Sequence, residues 1–394
     1  MAGAAGGFGL ARALTPERRV PTAAAAPRRV ERTAPTALWH YKARAQGEPA
    51  LVWQDEIVVL PVGGQTVGLD LRTGKERWSK PMFSWTPVPV RDDLLLTVAS
   101  GNLTTFSART GVVRSVDGRY GRYVTADGGF LTHDGGQLWF IISNSDAAHL
   151  VCYDLAHGDE VWRARLPKDL PKIRDIAVGK DAVHARLADI YIGSDYQWDQ
   201  KEKRLAVFTS YDRATGRQLR RRSYPAVKFN SPAWLSPKGV LYSSDQGLQA
   251  HDLDTGKVLW TSSAGDARPV TTARAVREVG DALYVVDSIR STYKVDARDG
   301  KSLWEARPAD HVILFDDSVR VALDTGPRNT PLLRLDDLNV TAYDPGDGTA
   351  QWVFEGVGDL YPADNAGVWR LARGSRIGVF SRRTSPHYFA LPIG

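Results

Sequence analysis

Cysteine is almost missing from this sequence. Cys152 is the only one in 394 residues, which excludes an intramolecular disulfide and any metal centre built from several thiolates. Beside Tyr153 in a strand-like run, a lone cysteine reads as a small buried hydrophobe. Long apolar runs are missing too: nothing approaches the ~18 residues that a membrane-spanning helix needs. The histidines, at positions 40, 133, 149, 157, 184, 251, 311 and 387, fall in none of the H-x-H, H-x-x-x-H or H-E-x-x-H spacings of metal sites. No G-x-S-x-G elbow or Walker-type loop occurs, so hydrolase and nucleotide readings have no direct support. No extended 3.6-residue apolar periodicity is present, so helices should be few.

Charge of one sign is not concentrated either, except at one end. Lys and Arg number 51 against 45 Asp and Glu, a net +6. Residues 1–36 hold six Arg and two Glu, a local +4, which leaves +2 for the remainder. A nearly neutral body argues against a nucleic-acid binder, because phosphate binding needs a concentrated basic face. Residues 1–36 are rich in Ala, Pro, Arg and Thr without periodicity, and read as a disordered tail or linker. The small residues before Ala11–Ala13 also suit the remnant of an export signal or anchor, although the basic segment expected ahead of one is missing. Export, to an extracytoplasmic or envelope-associated site, is slightly favoured over the cytoplasm.

What the chain does have is a repeat. "VGLDLRTGKERW" at Val67–Trp78 returns as "CYDLAHGDEVW", "AHDLDTGKVLW" and "KVDARDGKSLW". The turn glycines are Gly74, Gly111, Gly158, Gly216, Gly256, Gly300 and Gly348. Four residues before them stand Asp70, Ser107, Asp154, Asp212, Asp252, Asp296 and Asp344; four after stand Trp78, Ser115, Trp162, Arg220, Trp260, Trp304 and Trp352. An Asp side chain accepts backbone N–H groups two and three residues on, and Gly supplies the positive φ of a tight hairpin. The Trp then emerges on the next strand with a ring too large for one sheet to hide, so radial packing of sheets is required. Short β-branched runs such as "EIVVLPV" and "ALYVVD" precede each core.

The ends complete the count. "ALWHYKA" supplies Trp39 with nothing before it, and "HYFALPIG" supplies the strand before a turn with no Trp after it. Together they make one split blade beside seven full units. The expected fold is all-β: an eight-bladed β-propeller of four-stranded antiparallel blades over residues 37–394, its last blade closed by the N- and C-terminal strands.

The run A-x-D-x-x-T-G-x-x-x-W, clearest in "AHDLDTGKVLW", resembles the repeat of the pyrroloquinoline-quinone (PQQ)-like β-propellers over nearly all of residues 37–394. That family contains quinoprotein alcohol dehydrogenases, BamB-type assembly lipoproteins and receptor-attached propellers, and the shared repeat does not choose among them. The dehydrogenases resemble one another in a vicinal Cys-Cys pair and a Ca²⁺ site, and are longer. One cysteine cannot form that pair, and "YDPGDG" and "HDLDTG" read as hairpin turns rather than Ca²⁺ loops. The expectation is a non-enzymatic binding or scaffolding propeller with no cofactor or metal. The rival is a quinoprotein-type oxidoreductase holding PQQ and a metal in its channel.

Binding residues are expected on loops joining the outer strand of one blade to the inner strand of the next. Those loops carry Trp85, Arg122, Tyr123, Arg174, Lys228 and Arg268, a set suited to a protein, an acidic peptide, a glycan or an anionic small ligand. The plainer reading is a solvated surface with scattered Arg. The insertion at Gly193–Arg204 displays Tyr196 and Trp198 on an extended hairpin, as an interface anchor or as cover for a sheet edge. Arg220 and Arg222, on one face of "LRRRS", point to a degenerate and partly solvated blade. A monomer is expected.

Overall fold

The computed structural model describes residues 34–45, 49–82, 85–99, 102–120, 131–143, 147–168, 173–187, 190–191, 204–225, 233–244, 247–262, 270, 273–287, 291–307, 322–325, 330–335, 339–354, 369–382 and 385–393. Among them the secondary structure is strand throughout, from Trp39 to Pro392, with no helix. The strands form eight antiparallel sheets. In chain order the first seven blades span 51–80, 88–117, 132–165, 173–225, 234–261, 273–306 and 322–354. The eighth takes three strands from 369–392 and its fourth, Trp39–Lys42, from the other end of the chain. Trp39 stands opposite Ala390 and Lys42 opposite His387 across that closure.

First strands touch first strands around the ring: Leu51–Trp53 and Ala322–Thr325 both meet Trp369–Arg373, and Ile173–Val178 meets Thr132–Asp134 and Trp234–Leu235. They therefore line the axis, and the fold is an eight-bladed β-propeller. Second and third strands are covered on both faces, which is why they read as unbroken apolar runs; Ile57–Val62 is buried at every position. The fourth strand lies at the perimeter. In Glu76–Lys80 only Trp78 is buried.

The Asx turns explain the repeat spacing. Asp70 Oδ1 accepts the N–H groups of Arg72 and Thr73 at 3.0 and 2.9 Å and the Thr73 hydroxyl at 2.9 Å. Gly74 N–H closes the turn on the Asp70 carbonyl at 2.9 Å. Six of the seven turns then meet a ring from the preceding blade. Trp39 Nε1 donates to the Leu71 carbonyl at 2.7 Å, and Trp78 to Ala108 at 2.9 Å. Trp162, Trp260 and Trp304 donate to Arg213, Ala297 and Pro345 at 2.8, 2.9 and 3.2 Å. The acceptor is in every case the residue after the turn's Asp or Ser. Opposite the Trp on the neighbouring strand stands a small residue in most blades, such as Gly68, Cys152, Ala250 or Ala342. Trp352 is buried against Trp369 and Phe380 of the eighth blade.

Two blades depart from the pattern. In the fourth, Arg220 and Arg222 are exposed, and they pair with the Asp254 carboxylate and carbonyl. Tyr224, four residues beyond Arg220, brings its ring over the turn and donates its hydroxyl to the Leu253 carbonyl at 3.0 Å. The seam is thus closed by a different ring from further along the strand. This blade also carries a short extra strand, Ile190–Tyr191, paired with Arg204 and Leu205 as the stem of the insertion. Tyr196 and Trp198 lie outside the described residues. The second blade departs differently: Ser115 is exposed and faces Thr105, to whose hydroxyl it is hydrogen-bonded.

Candidate binding surface at the connection end

Because every blade runs outward from the axis, the two ends of the propeller differ. One end carries the hairpins between first and second strands and the Asx turns. The other carries the connections from second to third strands and from blade to blade.

The turn end is knitted by its own groups. Asp55 Oδ1 accepts the Ser375 N–H at 2.6 Å, joining the first and eighth blades. Lys238 Nζ donates to the Gly280 carbonyl at 2.7 Å and pairs with Glu278 at 2.9 Å. Arg213 reaches the Gly179 carbonyl at 2.9 Å and Asp134 at 2.8 Å. Arg373 is bonded to Asp324. The turn aspartates are committed as well. The Arg77 guanidinium, with help from Thr73, holds Asp70 at about 2, and Arg298 does the same for Asp296.

Among the described residues, arginine recurs at the strand ends of the connection end. Arg174, Arg274 and Arg370 occupy second positions of their inner strands, Ile173–Val178, Ala273–Val279 and Trp369–Arg373. Arg186, Arg334 and Arg382 stand at or next to the last position of second strands in the fourth, seventh and eighth blades. A guanidinium keeps its charge when buried, so it must be packed and bonded. Arg334, only 4% exposed, lies 5.7 Å from the Tyr343 ring and donates to Thr341 Oγ1 at 3.2 Å. Arg382, 7% exposed, lies 4.8 Å from the Trp369 ring. Against these six, the acids among the described inner and second strand ends here are Asp175 and Asp287. Asp287 is buried and accepts Ser291 N–H at 2.8 Å and Tyr293 Oη–H at 2.9 Å. Burial pushes the Asp175 carboxyl upward despite the Leu235 and Ile176 N–H groups that bond it.

Of the loop residues expected to bind, Trp85 lies on the connection between the first and second blades. Its half-buried ring packs against the cluster of Val88 and Leu96, and its carbonyl accepts the Thr97 hydroxyl at 2.8 Å. Arg174 is exposed and belongs to an inner strand rather than a loop, because Ile173 already pairs with Leu187. Arg122, Tyr123, Lys228 and Arg268 lie outside the described residues. Arg186, Arg334 and Arg382 lie on strands rather than loops, and an Arg inside an apolar strand such as "LLRL" is the signal that marks them in sequence.

Cys152 is buried opposite Trp162, and burial pushes its thiol up to about 12. His184 bonds Ser210 at 2.9 Å and His251 bonds Ser243 at 3.0 Å, both in the core. Burial lowers the His184 pKa. Among the described residues no three His, Cys, Asp or Glu side chains converge as a metal site, and no helix is long and apolar enough to cross a membrane.

Ring, repeat and blade closure together define a PQQ-like β-propeller. The chain belongs to the family described as outer membrane protein assembly factor BamB, whose profile matches residues 28–164 and 204–358. The unmatched stretch between them contains the insertion of the fourth blade. BamB from Moraxella catarrhalis has a similar structure at 14% identity, covering 91% of this chain and all of that one, with a TM-score of 0.53. The C-terminal WD40 domain of Sif2 is similar at 10% identity over 92% and 99% of the two chains, TM-score 0.58. The computationally designed Ika8 protein matches at 12% identity over 89% and 98%, TM-score 0.57. At these identities the likeness is one of fold. No curated protein matches the sequence.

Proposed function

We propose that the protein is a non-enzymatic scaffold whose connection end captures a protein or peptide through acidic groups. Membership of an assembly-factor family supports a protein-interaction role. The observation that carries the choice of surface is the recurrence of arginine at six inner and second strand ends of the connection end, of which Arg174 is exposed. Cationic groups on one end of a protein set up a field that steers acidic segments toward it. The quinoprotein alternative draws no support from the single cysteine, which is packed in the core.

Poly-L-glutamate serves as a probe of this surface. It should bind at low ionic strength, and Arg174→Glu with Arg370→Glu should weaken binding by about tenfold or more, a strongly salt-dependent loss. The melting temperature should stay unchanged. Binding that the double substitution leaves intact would remove the surface from consideration. Reconstitution with PQQ and Ca²⁺ followed by a dye-linked alcohol oxidation assay should give no turnover; saturable PQQ binding with turnover would replace the scaffold reading.

A further inference from the structure

Six of the seven Asx turns lie beneath an aromatic ring of the preceding blade. A Cβ placed on Gly74, Gly111, Gly216, Gly256, Gly300 or Gly348 would stand 2.5–2.7 Å from that ring. Gly158 is different. Its φ of 74° matches the others, so the turn is the same. Among the described residues, however, the nearest atom to its Cβ position is the Tyr153 hydroxyl at 3.6 Å. The position that would supply the ring holds Ser115. No described side chain donates to the Leu155 carbonyl, which corresponds to the six carbonyls that accept a ring N–H or O–H.

The consequence is a cavity. A cleft of about 260 Å³ lies between the second and third blades, bounded by Leu96, Thr105 and Ser115 on one side and by Tyr153, Leu155 and Gly158 on the other. That volume is below the ~300 Å³ at which drug-sized ligand pockets begin, and suits a single ring system. Val90, Leu96 and Leu155 give it apolar walls, Asp117 adds a carboxylate, and exposed Ser115 and His157 also line it. The seam does not collapse into it, because it is held from further along the chain. Tyr120, buried beyond the end of the strand, packs edge-on against Phe140 and bonds Glu160 at 3.2 Å. Arg119 donates to the Gly158 carbonyl at 2.6 Å and pairs with Asp159 at 3.0 Å.

We propose that this cleft is a docking site for a tryptophan side chain of a partner polypeptide, with the indole over Gly158 and its N–H on the Leu155 carbonyl. The chain itself defines the ligand chemistry, since five of its own indoles and one phenol sit in the equivalent seats. The identification of the ligand as a polypeptide rests on the scaffold reading above. The site lies at the perimeter, away from the strand-end arginines, so the two surfaces fail or succeed separately.

N-acetyl-L-tryptophanamide is the probe, followed by calorimetry or by backbone amide shifts of Leu155 to Gly158. It should saturate with a dissociation constant on the order of 1 mM, as expected for one ring with one hydrogen bond, while N-acetyl-L-alaninamide should not bind. Ser115→Trp should place the protein's own indole in the seat, raise the melting temperature and weaken probe binding by about tenfold or more. Thr105 is bulkier than the residues opposite most other Trp positions, so Ser115→Phe serves for the same blockade if the Trp variant does not fold. Failure of the probe to saturate, or saturation that survives a folded blocking variant, overturns the proposal. Either result leaves the poly-L-glutamate test standing, so loss of this site is distinguishable from loss of the scaffold reading.

Discussion

The seam between the first and second blades and the seam between the second and third use the same turn and are held in opposite ways. At the first, Trp78 lays a buried ring on the turn and bonds the Ala108 carbonyl. At the second, Ser115 leaves that seat open, and Arg119 and Tyr120 grip the turn from beyond the strand. One seam is closed by apolar area concentrated at a point; the other combines a buried Tyr with charge at the surface. Blade count is therefore independent of any single docking residue, and the residues that differ between seams decide where the perimeter is solid and where it is open.

The largest test of that contrast is Trp78→Ala. Removing the ring and orphaning a carbonyl should cost about 3–5 kcal/mol in denaturant unfolding, whereas Ser115→Ala should stay within about 0.5 kcal/mol. Equal losses would erase the distinction. An intermediate effect belongs to Tyr224→Phe, which keeps the ring over Gly256 and deletes the hydroxyl bond to Leu253. About 1 kcal/mol is expected from equilibrium unfolding, and a loss as large as that of Trp78→Ala would mean the ring had moved. The smallest is Arg119→Ala. Its side chain is 50% exposed, so its ion pairs are screened and the loss should not exceed about 1 kcal/mol, shrinking as salt is added. A salt-independent loss would show that Arg119 acts by packing.

The architecture was legible because the turn chemistry repeats. Asp70, Gly74 and Trp78 are tied together by local hydrogen bonds and by one neighbour, and that combination leaves a fixed spacing in sequence. Tyr224 left no such trace. It reaches its acceptor from four residues beyond the expected position, outside the spacing of the repeat. The strand-end arginines were equally hidden, because Arg186, Arg334 and Arg382 belong to different blades and share one end of the molecule only once the ring is formed. Neither Ser115 nor Arg220 is the Trp of the repeat, yet a tyrosine fills the seat beside Arg220 while no described ring fills that at Ser115. Sequence records which seat is missing its own residue, and only the fold records whether another side chain arrives.

The pairing of Trp39–Lys42 with His387–Pro392 sets an order on how the molecule can come into being. His40 and His387 stack across that seam, 347 residues apart. At ~5–20 residues per second, the N-terminal strand waits on the order of tens of seconds for the strand it must join. Until then Trp39, destined for the Leu71 carbonyl on the first blade, stands on a strand without its neighbour. The edge of Trp39–Lys42 therefore stays unpaired until residues 387–390 have been made.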